Sequence, residues 1–75
     1  MKVAVLGAGS WGTALAGLLS KEGHAVSLWS FEQDLAQAIN ERKENHLYLP
    51  GFVLPKSLTA THSISEAVNG AEVVV

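Results

Sequence analysis

The chain has 75 residues, five of them basic and seven acidic, for a net charge of −2, and it contains no cysteine. That excludes disulfide bracing and thiolate metal sites and leaves no basic stripe for nucleic acid or anionic lipid. With 48% apolar and 16% charged residues, the composition is that of a folded cytoplasmic protein rather than a disordered segment.

Residues 3–20 carry no charge and follow Lys2, and Ala14-Leu15-Ala16 resembles an export cleavage site. Gly7, Gly9, Gly12 and Gly17, with Ser10 and Thr13, interrupt the stretch. An export signal or a spanning helix needs an unbroken apolar run, so neither is expected. Lys2 to Leu6 is instead a short apolar run ended by Gly7, the pattern of a strand buried on both faces. Trp11, Ala14, Leu15, Leu18 and Leu19 then recur at helical spacing through Glu22. Lys21 suits the negative end of that helix, and Gly23 suits a left-handed residue just past it.

Ala25 to Trp29 is a second apolar run, with Trp29 expected in the core. Glu32 to Lys43 is predicted as a second helix, with acids at its positive end and Arg42 and Lys43 at its negative end. Asn45 to Lys56 holds Pro50-Gly51 and Pro55 and is expected to be an ordered loop. Leu58 to Thr61 suits a third strand. Ser63 to Asn69 suits a short helix, with Glu66 three residues after Ser63 as in a capping box. Gly70 ends it, and Glu72 to Val75 suits a fourth strand.

Strand and helix therefore alternate as β-α-β-α-β-α-β, which predicts an α/β fold with a Rossmann-type, doubly wound parallel sheet. A final triple valine belongs inside a sheet, so the 75 residues are expected to be part of a larger dinucleotide-binding domain. The last strand of such a piece would offer an unpaired apolar edge, and one of the competing readings is that this edge pairs with a second copy.

Gly7-Ala8-Gly9-Ser10-Trp11-Gly12 follows a predicted strand and opens a predicted helix, the setting in which G-x-G-x-x-G binds a dinucleotide. Gly7 permits the tight turn, Gly9 lets a pyrophosphate approach the backbone, and Gly12 lets the helix lie close to the sheet. The amides around Ser10 and Trp11 then face the phosphates. No G-K-[ST] follows, which argues against a P-loop nucleotidase. The competing reading is that the glycines serve only strand–helix packing.

About 20 residues past such a motif, a carboxylate selects NAD and a basic residue selects NADP. Here stands Trp29-Ser30-Phe31-Glu32, with no basic residue, so the balance tilts toward NAD. Glu32 is either a ribose ligand or a solvated acid at a helix start. Phe31 offers either a face for adenine or a core aromatic. Trp11 either covers the cofactor or joins the helix's apolar stripe. His24, His46 and His62 are too far apart to suggest a metal set.

Three blocks resemble the start of a soluble, nicotinamide-dependent glycerol-3-phosphate dehydrogenase. They are Val5 to Ala14, Leu28 to Glu32, and Glu44-Asn45-His46-Leu47-Tyr48-Leu49-Pro50-Gly51. The resemblance spans essentially the whole chain. It implies hydride exchange between NAD(P)H and the C2 carbon that distinguishes dihydroxyacetone phosphate from sn-glycerol 3-phosphate, a small-molecule substrate serving glycerophospholipid synthesis. It makes Ser10, Trp11 and Phe31 cofactor contacts. Relatives often carry a basic residue at or beside position 31 and use NADP, a pattern from which this chain departs. The family's catalytic lysines lie past Val75, in the rest of the first domain and a helical second one, so no catalytic residue is expected within residues 1–75. Two alternatives stand beside this reading: another dehydrogenase, for a hydroxyacid or sugar acid, and a non-catalytic NAD-sensing domain.

Overall fold

Parallel pairing of the first two apolar runs sets the frame. In the computed structural model, which describes residues 1–75, β1 (Lys2–Leu6) lies beside β2 (Ala25–Trp29) with Val3 opposite Val26 and Val5 opposite Leu28. Between them runs α1 (Ser10–Lys21). There follow α2 (Gln33–Arg42), β3 (Thr59–Thr61), α3 (Ile64–Val68) and β4 (Val73–Val74). The sheet order is β3-β2-β1-β4 and every pair is parallel.

The chain thus advances from β1 through β2 to β3, then returns to the far side of β1. Right-handed crossovers put α1 and α2 on one face of the sheet and α3 on the other, which makes the fold doubly wound as expected. The strand order reverses beside the carboxyl end of β1, and in open α/β sheets ligands bind at that switch point.

Side-chain alternation divides the two faces. Val3 and Val5 of β1, Val26 and Leu28 of β2 and Ala60 of β3 belong to one cluster, with Leu35, Ala36 and Ile39 of α2, Ala16 of α1, and Leu54 and Leu58 of the loop. Ala4, pointing the opposite way, is fully buried and lies outside that cluster, as does Ala67 of α3.

The helix ends follow their local chemistry. Gly23 has φ +99°, its N–H donates to Ser20 O at 3.1 Å, and the His24 N–H donates to Leu19 O at 3.1 Å. That is the paired C-terminal closure a left-handed residue makes possible. Each predicted helix is trimmed at its ends: Glu22 caps α1, while Glu32 and Lys43 flank α2 rather than belong to it. Ser63 caps α3 by accepting from the Glu66 N–H at 3.2 Å. The reciprocal half of the expected capping box is absent, because the Glu66 carboxylate accepts from the Thr61 hydroxyl at 3.1 Å instead.

Two expectations about packing are corrected. The buried face of α1 is Gly12, Thr13, Ala16, Gly17 and Ser20, while of the leucine stripe Leu19 packs half-buried against the core and Leu18 is exposed. Small residues let the helix approach closely: a methyl group on Gly17 would stand 3.0 Å from Phe52 and 3.1 Å from Leu54. Trp29 is not a core residue either. It is only partly buried, and its indole N–H donates to His62 O at 2.9 Å, satisfying the polar end that full burial would have stranded.

The loop from Asn45 to Lys56 is ordered, as expected. It opens with a bridge between Asn45 and Leu49, and the Leu54 N–H returns to Lys43 O at 2.7 Å. No helix is long and apolar enough to cross a membrane.

Candidate dinucleotide-binding site

The bend after β1 is built by backbone geometry. Gly7 has φ +126°, a region L side chains rarely enter, and its N–H donates to Trp29 O at 3.0 Å. The turn is thereby tied to the carboxyl end of β2. A methyl group on Gly12 would overlap the Gly7 carbonyl oxygen, so α1 can start this close to the strand only without a side chain there. Gly9 differs. A methyl group on it would meet nothing within 4 Å, so what it leaves uncovered is open backbone on the outer side of the turn.

Gly9 is also the N-cap of α1, in extended conformation, and offers no side chain to cap it. The first helical hydrogen bond runs from the Thr13 N–H to Gly9 O at 3.0 Å. The N–H groups of Ser10, Trp11 and Gly12 have no protein acceptor. The Ser10 hydroxyl caps none of them and is turned to the loop, where Ser10 Oγ donates to Tyr48 O at 2.7 Å. Three convergent donors at the positive end of a 12-residue helix favour an anion.

A second tier, outside the predicted site residues, holds this bend from behind. Asn45 is fully buried, and its amide donates to Ala8 O and to Thr13 Oγ1, both at 2.8 Å. Its Oδ1 accepts from the Tyr48 N–H at 3.1 Å. One asparagine therefore spans the glycine turn, the first turn of α1 and the loop. Asn45 and Tyr48 lie in the block from Glu44 to Gly51 that carries the family resemblance, but only the fold reveals that it buttresses the glycine turn.

Two aromatic side chains, one in the first turn of α1 and one just past β2, are exposed. Trp11 is 71% exposed and Phe31 82% exposed, which overturns the stripe reading of the first and the core reading of the second. Phe31 stands edge-on to Trp29, with ring centroids 6.3 Å apart, so its position is supported from one side only. Such aromatic faces suit a planar base.

Glu32 follows Phe31 and is exposed. Its backbone is fixed by Ser30, whose Oγ donates to Glu32 O at 2.8 Å and accepts from the Glu32 N–H at 3.1 Å. Its carboxylate accepts from the Tyr48 hydroxyl at 3.0 Å. The same hydrogen bond, then the negative charge of Glu32, then slight desolvation raise the Tyr48 phenol above its ordinary pKa. Glu32 is therefore held rather than merely solvated. No group of three or more His, Cys, Asp or Glu side chains gathers anywhere in the chain.

A parallel sheet that reverses order at β1, a glycine turn with an open outer side, and an uncapped helix start together define a Rossmann-type dinucleotide-binding unit. Within that class the chain belongs to the family described as NAD-dependent glycerol-3-phosphate dehydrogenase N-terminus, matched over residues 2–75. It is 49% identical over 75 residues to a glycerol-3-phosphate dehydrogenase [NAD(P)+] of Syntrophotalea carbinolica, covering 100% of this chain and 22% of that protein. It is 56% identical over 70 residues to the enzyme of that name from Stenotrophomonas maltophilia, covering 93% of this chain and 20% of that one. The solved glycerol-3-phosphate dehydrogenase of Coxiella burnetii superposes with a TM-score of 0.90 at 38% identity, covering 97% of this chain and 22% of that one. The chain spans about a fifth of the length of the curated relatives it matches. Family membership favours the glycerol-3-phosphate dehydrogenase reading over a hydroxyacid dehydrogenase or a sensing domain.

Proposed function

We propose that residues 1–75 supply the adenosine–diphosphate half of the cofactor site in an oxidoreductase that interconverts dihydroxyacetone phosphate and sn-glycerol 3-phosphate. The observation that carries this is the uncapped start of α1 beside the open side of Gly9. The amides of Ser10 and Trp11 would hold the diphosphate, and Gly7 and Gly12 fix the turn that presents them. Trp11 and Phe31 would border the base and ribose. When bound, NAD(P)H supplies the hydride that reduces the C2 carbonyl of the triose phosphate.

The chain's own contribution is binding and orientation, and no residue of it is assigned a catalytic role. The activity of the intact cytoplasmic enzyme would feed glycerophospholipid synthesis. Turnover rests on the remaining four-fifths of the length that the relatives possess, so these 75 residues alone are expected to be inactive. One edge of β4 pairs with β1, and Val73, Val74 and Val75 are all substantially exposed. That supports pairing of the other edge with a further strand, from the same protein or from a second copy.

The test is Gly9→Val in the full-length protein, with dihydroxyacetone phosphate as substrate. A side chain on the open side of the turn should weaken NADH binding, measured by calorimetry, by about tenfold or more, the equivalent of ~1.4 kcal/mol. Unchanged NADH affinity would remove the glycine-turn assignment. Failure of the wild-type enzyme to oxidise NADH with this substrate would remove the activity.

A further inference from the structure

Tyr48 occupies a position that neither the glycine motif nor the aromatic border explains. Its three polar groups all act at the site. The N–H donates to Asn45 Oδ1 at 3.1 Å, the carbonyl accepts from Ser10 Oγ at 2.7 Å, and the hydroxyl donates to Glu32 Oε2 at 3.0 Å. The backbone of Tyr48 is thus fastened to the diphosphate end, and its ring reaches the end of β2.

Glu32 stands 20 residues beyond Gly12, just past the last residue of β2. In this fold that is the place of the carboxylate that meets a ribose 2′-hydroxyl. An exposed glutamate has many rotamers, and pinning one costs conformational entropy. Here Ser30 fixes its backbone and Tyr48 fixes its carboxylate. A carboxylate has about four acceptor positions, so the bond from Tyr48 leaves room for a ribose hydroxyl. It leaves no donor for a 2′-phosphate, which would face a negative charge held in place.

We propose that Tyr48 is a positioning residue for cofactor choice: by holding Glu32 at the end of β2, it favours the dinucleotide with a free 2′-hydroxyl over the one with a 2′-phosphate. The proposal rests on the dinucleotide reading of the site and adds the determinant of selectivity. It also explains why a loop far along the chain is bonded to both the glycine turn and the N-cap residue of α2.

The experiment measures KM for NADH and for NADPH in the full-length enzyme, wild type against Tyr48→Phe, Glu32→Gln and the double variant. Tyr48→Phe keeps the ring and removes only the hydroxyl. It should lower the NADH-over-NADPH preference by about fivefold, within the range of one exposed hydrogen bond. Glu32→Gln should lower it by more, and adding Tyr48→Phe to Glu32→Gln should change the ratio no further. If Tyr48→Phe shifts both KM values equally, or acts as strongly with Gln at position 32, the positioning role is overturned while the dinucleotide site stands. If the wild-type enzyme binds neither dinucleotide, the site reading falls and takes this proposal with it.

Discussion

Two glycines in one six-residue motif do opposite jobs, and a single added methyl group separates them. At Gly12 it would overlap the Gly7 carbonyl oxygen, whereas at Gly9 it would meet nothing within 4 Å. Gly12→Ala should therefore cost about 2 kcal/mol or more of stability in urea denaturation, as overpacking against rigid backbone does. Gly9→Ala should stay within about 0.5 kcal/mol of wild type, as changes in open space do. Equal losses would mean that both positions serve packing alone. The separate roles are legible in the sequence because the spacing fixes them. The fates of Trp11, Phe31 and Trp29 are not, because an aromatic residue beside a turn has the same composition signal whether it packs inward or borders a ligand.

Among the elements, the loop between α2 and β3 is the one whose importance sequence pattern conveys least. It has no period, yet its buried Asn45 joins the glycine turn to the first turn of α1. Asn45→Leu, close in volume, would leave Ala8 O, Thr13 Oγ1 and the Tyr48 N–H without their partner. We expect a loss of about 3 kcal/mol, since three buried or half-buried groups go unsatisfied. A melt that matches wild type would show the asparagine to be incidental. The strands and helices themselves were legible to within a residue or two at each end, because period and capping residues mark them. The buried face of α1 was not. Ranking by hydrophobicity picks out its leucines, of which Leu19 packs against the core but Leu18 is exposed, whereas the sheet and loop select Gly12, Ala16 and Gly17 for their small size.

For the molecule as a whole, the alternation of elements fixes the parallel sheet, and right-handed crossovers then fix which faces are covered. The strand order β3-β2-β1-β4 brings the end of β1 to the switch point, so topology alone places the glycine turn where a ligand binds. The two sheet edges are treated differently. The β3 edge is answered by Asn40, which both donates to Ala60 O and accepts from the Ala60 N–H at 2.8 Å. The outer edge of β4 has no such partner strand in the sheet. The start of α1 is the proposed diphosphate site, and a structure of the full-length protein with NADH tests it most directly. The diphosphate should lie within hydrogen-bond distance of the Ser10 and Trp11 amides, over the open side of Gly9. A diphosphate bound elsewhere, with those amides turned to solvent, would contradict it.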